Sequence, residues 1–352
     1  MITAEQIRSF RRRAGGLDER RPWGADALGH ALLAGASDSM PRGALLSLHA
    51  RLDGVTPTAL DDPLLTQVWG PRFSVYVVAA DDVAPFTLGR LPRNARRRER
   101  AERTAEALLG VLEEGQPRPY GDVGRELGVH HNSLRYAAPT GMVRLRWDGA
   151  RQPTIEVVAP PEVDPEDARR ELARRCLRVQ GPTTPDAFGR WAGVNAGEAR
   201  TTFDAIADEL VQVDTPVGPA FVLAQDEAAL RTAAVDVDPG NAGRNASAVP
   251  SRAASAGPTV RLLPSGDAYW LLHGEQRELL VGDAAARDLL WTPRVWPGAV
   301  LVDGEIVGTW RRAEHVVTVS PWRSLSADER HAIETEASSF PLPDLARPID
   351  VR

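Results

Sequence analysis

The stretch from Pro119 to Pro160 constrains the fold most, because the spacing of its apolar residues changes from helical to strand-like within one short segment. Val123 and Leu127 lie one helical turn apart, Gly128 breaks that pattern, and a second short helical face follows around Leu134. This part of the segment predicts a helix-turn-helix.

The residues after Gly141 alternate between apolar and polar, first over 142–147 and then over 154–158, with an Asp-Gly turn signal between the runs. Two helices followed by such a hairpin are typical of a winged helix. The alternative is a generic α+β fragment that binds nothing, because arginine on an exposed strand is usually only solvated.

The charge of the chain is uneven. All 42 basic residues are arginine, yet the net charge is −6. Between Arg90 and Arg151, thirteen arginines stand against eight acidic residues, about +5, which leaves about −11 for the remainder. The planar guanidinium suits phosphate oxygens and guanine edges, so double-stranded DNA is the expected partner of this segment. The predicted DNA-binding residues are Arg93, Arg96, Arg97, His131, Asn132, Ser133, Arg135, Arg144 and Arg146.

The predicted fold class is α+β, with three tandem winged-helix modules and a C-terminal β-rich domain. The first module (1–92) is expected to contain helices at 3–14, 24–34, 42–51 and 57–66 and a strand at 73–80. The second winged helix (93–160) begins with a long helix after Asn94, and the third (161–224) with a helix capped at Asp164.

The third module repeats the helix-turn-helix skeleton of the second at a constant offset: Phe188 and Gly193 stand 65 residues after Val123 and Gly128. A hairpin is expected around the turn at 216–219. Its recognition-helix position carries Glu198, Asp204, Asp208 and Glu209, which repel phosphate, so this module is predicted to be scaffolding.

Residues 225–258 are rich in Ala, Ser, Gly and Pro without a periodic apolar face, which predicts a flexible linker or insertion. The C-terminal domain (259–352) has strand-like runs at 260–264, 268–272, 294–297, 299–312 and 314–320. A helix is expected near 325–338, starting at Ser326.

Several functional classes are disfavoured. We expect a cytoplasmic, nucleoid-associated protein, because no signal peptide or apolar span is visible. Cys176 stands in a helical pattern, where a buried apolar role is favoured over nucleophilic chemistry. No His, Asp, Glu or Cys set has metal-ligand spacing and no glycine loop suits a phosphate cofactor, so neither a metal nor a cofactor is expected.

Five separated segments resemble the bacterial winged-helix DNA glycosylase family that excises alkylated bases and unhooks interstrand crosslinks. They are MPRGALLSLHARLDGVTP, YVVAADDVAP, ARRELARRCLRVQGPTTPDAFGRWAGV, VRLLPSGDAYWLL and AVLVDGEIVGTWRR, in the family's order. The resemblance implies tandem winged helices and a β domain around a concave DNA-binding face, and metal-free hydrolysis of the N-glycosidic bond.

The chain departs from the family at the residues that carry this chemistry. Members have Gln-x-Gln or Gln-x-Asp before the Pro-x-x-Ala-Leu-Leu-Ser-Leu stretch, thought to position the attacking water, and the matching positions here are Ser37, Asp38 and Ser39. In an extended segment Asp38 points away from the face shared by the two serines. Tyr76 stands where the family usually has histidine. The alternative for 37–39 is a helix N-cap cluster ahead of the helix at 42–51.

Two hypotheses of function therefore stand. The chain is a monomeric glycosylase acting on alkylated or crosslinked duplex DNA with Ser37, Asp38 and Ser39 as its catalytic motif. Otherwise it is a damage-binding or regulatory protein that binds DNA without breaking glycosidic bonds.

Overall fold

The computed structural model describes residues 1–40, 42–147, 152–233, 257–313, 316–342 and 350–351. The described chain mixes helices and sheets. None of its described helices is both long and apolar enough to cross a membrane.

Helices and short strands alternate in the first ninety residues. In chain order they are α1 (Ala4–Ala14), β1 (Arg21–Pro22), α2 (Ala25–Ala31), β2 (Ala36–Ser37), α3 (Gly43–His49), β3 (Leu52–Asp53), β4 (Leu65–Trp69), β5 (Val75–Ala79) and α4 (Val83–Phe86). Helix α1 starts with a capping box formed by Thr3 and Gln6. The helix predicted at 57–66 is wrong: only a 3₁₀ turn forms at Ala59–Asp61, and β4 begins at Leu65, where Thr, Val and Trp favour a strand.

The next segment folds as helices followed by a hairpin. It contains α5 (Ala95–Leu109), β6 (Arg118–Pro119), α6 (Tyr120–Glu126), a 3₁₀ helix (His131–Thr140), β7 (Val143–Arg146) and β8 (Thr154–Val157). The antiparallel hairpin of β7 and β8 is confirmed, while its turn at Asp148-Gly149 lies outside the described residues. The expected recognition helix is 3₁₀ in form and ends where Pro139, without an N–H, is followed by Gly141 at φ 76°.

One six-stranded sheet crosses the boundary that we predicted between the first two modules. Its strand order is β2-β5-β4-β7-β8-β6, and β4 meets β7 where Gln67 lies opposite Leu145. Gln67 also donates from Nε2 to the carbonyl oxygen of Trp147 at 3.0 Å. The two segments are therefore joined by main-chain and side-chain hydrogen bonds.

The third segment has the predicted order of helices and hairpin. Its elements are α7 (Pro165–Gln180), α8 (Pro185–Ala192), α9 (Ala196–Asp204), β9 (Leu210–Thr215), β10 (Gly218–Leu223) and α10 (Glu227–Thr232). Asp164 caps α7 as expected, accepting from the main chain of Glu166 and Asp167. Helix α10 corrects the start of the predicted linker, because Leu230 is buried among Ile2, Ile7 and Phe10. Residues 234–256 of that linker lie outside the described residues.

The C-terminal segment is built around a five-stranded sheet of order β11-β12-β13-β14-β15. Its elements are β11 (Val260–Leu263), α11 (Ala284–Leu290), β12 (Gly298–Val302), β13 (Glu305–Ala313), β14 (Val316–Pro321), α12 (Ala327–Ser338) and β15 (Asp350–Val351). Ser326 caps α12 as predicted. The strands predicted at 268–272 and 294–297 are wrong, because their aromatic side chains pack on one another: the ring centroids of Trp270 and Trp296 are 5.4 Å apart.

The hydrophobic core contains contacts between residues of different predicted modules. Leu45 and Leu46 of α3 pack in one apolar cluster with Val260 and Val300 of the C-terminal sheet. Helix α1 packs against α7 and α10. The first ninety residues are thus distributed over the other segments.

Candidate functional site

Ser37 and Ser39 lie side by side at the end of β2. Ser37 pairs with Tyr76 of β5, and the main-chain N–H of Asp38 donates to the carbonyl oxygen of Val75 at 2.8 Å. In this extended backbone alternate side chains share a face, and the two serine hydroxyls are 3.4 Å apart. Ser37 is buried and Ser39 is exposed, so the pair spans from the interior to solvent.

Asp38 points to the other side and caps helix α3. Its Oδ1 accepts from the main-chain N–H of Ala44 at 3.0 Å, and only 1% of the residue is exposed. Burial raises the pKa of this carboxyl to about 7, although the hydrogen bonds from Ala44 and Gly43 and the charge of Arg42 oppose the shift. A group of that basicity suits a general base, but this one is hydrogen-bonded to the helix end and turned away from the serine pair. The helix-cap alternative therefore describes Asp38 and not the two serines.

A buried ion pair holds the backbone against Ser37. Gly266 at φ 77° lies close enough that a β-carbon there would stand 3.4 Å from the Ser37 hydroxyl oxygen. The next residue, Asp267, receives two 2.8 Å hydrogen bonds from Arg51 and one of 2.7 Å from the hydroxyl of Ser47. Burial raises the pKa of the Asp267 carboxyl, but Arg51 and the hydrogen bonds outweigh it and keep the pKa below the usual value. The sequence shows the Pro-Ser-Gly-Asp run only as part of a segment of the family resemblance and does not indicate that it meets Ser37.

A cavity of about 330 Å³ is lined by residues adjacent in sequence to Ser39 and Gly266, although neither serine lines it. Met40, the residue after Ser39, forms one part of its wall, and Trp296 and Trp310 contribute aromatic surface. Arg311 also lines it and donates to the carbonyl oxygen of Val295 at 2.9 Å. The walls thus combine aromatic rings with a guanidinium group, the side chains that nucleobases stack on.

Tyr76 belongs to the core. It is 3% exposed and its ring stacks on Phe86 with centroids 6.4 Å apart. Burial raises the pKa of its hydroxyl well above the usual range. A buried neutral phenol does not supply an acid or base near neutral pH.

The two hairpin arginines are each engaged within the chain. Arg144 donates from Nη1 to the carbonyl oxygen of Gly141 at 2.8 Å and is half-buried, and burial lowers its pKa. Arg146 is exposed and forms an ion pair with Asp61. A phosphate contact by Arg146 has to displace that carboxylate, and one by Arg144 has to break its main-chain hydrogen bond.

The predicted recognition-helix residues surround Tyr120. The ring of His131 lies 4.7 Å from the ring of Tyr120, and the Tyr120 hydroxyl donates to Oδ1 of Asn132 at 2.5 Å. Ser133 and Arg135 are half-buried on the same 3₁₀ helix. Asn132, the exposed member of the set, is held in one orientation by Tyr120.

The three arginines predicted at the start of the second segment differ in role. Arg93 forms a salt bridge with Glu166, and its main-chain N–H donates to Glu198 at 2.8 Å. Arg93 therefore connects the second and third segments. Arg96 and Arg97 are exposed on the first turn of α5 and form no ion pair among the residues that the structure describes.

Other reactive groups lie outside this site. The burial predicted for Cys176 is confirmed, and burial raises the pKa of its thiol to about 12. Within the described ranges, no group of three or more His, Cys, Asp and Glu side chains is placed to hold a metal ion.

Three comparisons with known proteins each find similarity to a DNA glycosylase. The family model described as "DNA glycosylase AlkZ-like" matches residues 30–340. An interstrand DNA cross-link repair glycosylase from Streptomyces sahachiroi is 26% identical over 182 residues, which cover 50% of this chain and 42% of that protein. The aligned part thus spans less than half of the relative. The solved structure of Streptomyces sahachiroi DNA glycosylase AlkZ shares the fold, with a TM-score of 0.74 at 18% identity over 99% of each chain.

Proposed function

Because this chain belongs to the AlkZ-like DNA glycosylase family, we propose that it binds duplex DNA with an alkylated or crosslinked base and that Ser37 and Ser39 hold the attacking water. The observation that carries the proposal is the 3.4 Å separation of the two hydroxyls, at the positions that match the motif expected from the family resemblance. Two hydroxyls at this distance can both hydrogen-bond one water molecule.

The chemistry available to this pair is limited. An N7-alkylated purine is cationic, so when its bond to C1′ breaks it takes the bonding electrons and leaves as a neutral base. Water then adds to C1′ of the sugar cation and loses a proton. Serine hydroxyls orient the water but do not accept that proton near neutral pH, and general-base assistance typically contributes about 100- to 10,000-fold. Slow excision, restricted to cationic lesions, is therefore the expected activity.

The second candidate function is binding to damaged DNA without excision. The position of Asp38 favours it, because the carboxyl nearest in sequence to the serines is used to cap α3. In both candidates the protein binds DNA as a monomer in the nucleoid, without metal or cofactor.

Three tandem winged helices would present the DNA-binding face in this proposal. The net positive charge of residues 90–151 supports placing the duplex along the second of them. Of the predicted contacts, Arg96, Arg97 and Asn132 are exposed and form no ion pair with a described residue, so they are best placed to meet the backbone or bases. Arg93, His131, Ser133, Arg135, Arg144 and Arg146 would support or adjust that face.

The test is single-turnover excision from a duplex bearing one N7-alkylguanine, scored as abasic sites. We expect slow excision by the wild type and a further decrease of about tenfold or more for Ser37→Ala/Ser39→Ala, with duplex affinity unchanged. Ser37→Gln/Ser39→Gln restores the family motif and is expected to raise the rate. The matched control, Ser324→Ala/Ser338→Ala, removes two exposed hydroxyls elsewhere and is expected to leave excision unchanged.

The outcomes separate the candidates. If the wild type and the glutamine variant both bind the duplex without excision, the protein is a binding member of the family. Robust wild-type excision that survives Ser37→Ala/Ser39→Ala would remove the chemistry from this pair.

A further inference from the structure

Three arginines from distant parts of the chain meet around one histidine. Arg72 follows β4 and Arg190 lies on α8. His273 precedes a short 3₁₀ helix of the C-terminal segment, and Arg277 is the last residue of that helix. Nη1 of Arg72 is 3.3 Å from Nε2 of His273. The guanidinium of Arg190 lies 3.7–3.9 Å from where a β-carbon at Gly274 would stand. We call these four residues the His273 cluster.

The positive charge of the His273 cluster is not neutralised within the described chain. None of its arginines forms an ion pair with a described carboxylate, and the neighbouring Glu275 is exposed without such a pair. Burial and the charges of Arg72, Arg277 and Arg190 lower the pKa of His273 to about 4. His273 is therefore neutral at pH 7, and its Nε2 can accept from Arg72. Such a group of cations gains most when an anion binds between them.

The backbone around Arg72 is held in an uncommon conformation. Arg72 and Phe73 both have left-handed angles, φ 56° and 58°, which are uncommon for a residue with a side chain. Gly193, itself at φ 76°, approaches so closely that a β-carbon there would lie 3.0 Å from the main-chain nitrogen of Arg72. The ring of Tyr136 packs edge-on against Phe73 with centroids 5.3 Å apart. These contacts fix the direction in which the Arg72 side chain leaves the loop.

The His273 cluster is joined through Arg72 to the strand that pairs with the serine segment. Ser37 pairs with Tyr76, and the main-chain N–H of Asp38 donates to the carbonyl oxygen of Val75. Arg72 stands three residues before Val75, in the turn that connects β4 to β5.

We propose that the His273 cluster binds one phosphate of the DNA backbone next to the nucleotide presented to Ser37 and Ser39, with Arg72 and Arg190 as its main ligands. The proposal rests on the proposed DNA binding. It makes these arginines positioning residues, which set where the strand lies relative to the serine pair. Arg277 adds positive charge but is already held within the chain. It donates to the carbonyl oxygen of Leu272 at 2.9 Å, and its guanidinium carbon lies 5.1 Å from the ring centroid of Trp291.

The test is the salt dependence of duplex affinity for Arg72→Ala/Arg190→Ala. Each phosphate contact contributes about 0.9 to the slope of log K against log salt, so the variant is expected to lower its magnitude by about 1 and to weaken binding. Arg72→Lys/Arg190→Lys keeps the charge and is expected to retain the wild-type slope. The matched control is Arg231→Ala/Arg323→Ala, which removes two arginines already paired with Glu227 and Glu329 and is expected to change nothing.

Each outcome decides one point. If the wild type does not bind duplex DNA, the proposed function and this assignment both fail. If the wild type binds and the alanine variant, melting at the wild-type temperature, keeps the wild-type slope, only the His273 cluster is wrong. If the alanine variant melts at a lower temperature, the lysine variant distinguishes the two roles. A reduced salt slope in the lysine variant, which keeps both charges, would show that the two arginines have a structural role. Competition by inorganic phosphate, beyond that of chloride at equal ionic strength, would assign the cluster to a free anion and not to DNA.

Discussion

At the residue scale, neighbouring side chains in the 37–39 stretch are separated by the alternation of an extended chain. Ser37 and Ser39 share one face, and Asp38 enters the interior to meet the first N–H groups of α3. Asp38 is therefore not placed to act together with the two serines. It is a structural carboxyl with an unusual pKa.

The titration of Asp38 is expected to appear in stability. Its pKa is raised to about 7 in the fold from 3.8 in the unfolded chain, so its contribution to stability is greatest below pH 4 and decreases as pH rises to 7. Asp38→Asn keeps an oxygen for Ala44 but does not titrate. We expect the stability of Asp38→Asn relative to the wild type to rise between pH 4 and 7, by up to about 1.4 kcal/mol for each pH unit, and to be constant above.

Urea unfolding at several pH values measures this difference. Asp288→Asn, an exposed acid on α11, is the control and is expected to follow the wild type. Parallel curves for Asp38→Asn and the wild type would show that Asp38 is ionised across this range.

At the scale of elements, α5 carries positive charge at its N-terminus, where positive charge is least favourable for a helix. Arg96 and Arg97 occupy its first turn, beside the positive end of the helix dipole, and no acid stands there. Further along the same helix, Arg98 pairs with Glu102 and Arg103 with Glu99. An unfavourable first turn is consistent with a surface used to bind an anion.

This arrangement predicts opposite effects on stability and binding. Arg96→Ala/Arg97→Ala is expected to leave unfolding free energy unchanged or to raise it by about 0.3–1 kcal/mol per residue. The salt slope of duplex affinity is expected to fall by about 1 to 2. Arg98→Ala/Arg103→Ala on the same helix is the control, measured by urea unfolding and DNA titration. An equal loss of slope in both variants would mean that α5 acts only through its total charge.

At the scale of the whole molecule, buried polar contacts connect residues far apart in sequence. Arg51 bridges Asp267 and the carbonyl oxygen of Gly15 at 2.8 Å. Arg11 connects α1 to Gly181 and Gln276 through hydrogen bonds of 3.1 and 2.7 Å. These contacts make the N-terminal helices and the C-terminal segment one support for the serine pair.

Breaking the Arg51–Asp267 pair is expected to destabilise the whole chain. Asp267→Ala leaves a buried guanidinium without its partner, which typically costs about 3–5 kcal/mol. The pKa of Asp267 is lowered in the fold, so the stabilisation is present at neutral pH and is lost as pH falls below about 4. In urea unfolding, the loss in free energy of unfolding of Asp267→Ala relative to the wild type should therefore be complete at pH 7 and become smaller in acid. Replacing both partners, as Arg51→Met/Asp267→Leu, should recover part of the lost free energy of unfolding. The control, Asp288→Ala, should have no effect.

The sequence by itself determined much of the local structure and the family. Capping residues located the starts of α1, α5, α7 and α12, and period-two patterns located both hairpins, because these signals act between residues close in the chain. The family resemblance, carried by five ordered segments, is confirmed by the family model over residues 30–340. The burial of Cys176 followed from helical spacing.

Only the tertiary structure decided which of these elements meet. Side-chain period does not distinguish a strand from a run of aromatics that packs on itself, so 268–272 was predicted as a strand. The side-chain period also does not show that β4 pairs with β7 or that Gly266 lies close to Ser37. Nor does it show that Arg72, Arg190 and His273 lie together. Those contacts link residues tens to hundreds of positions apart, and they depend on close packing and charge between surfaces that no local pattern encodes.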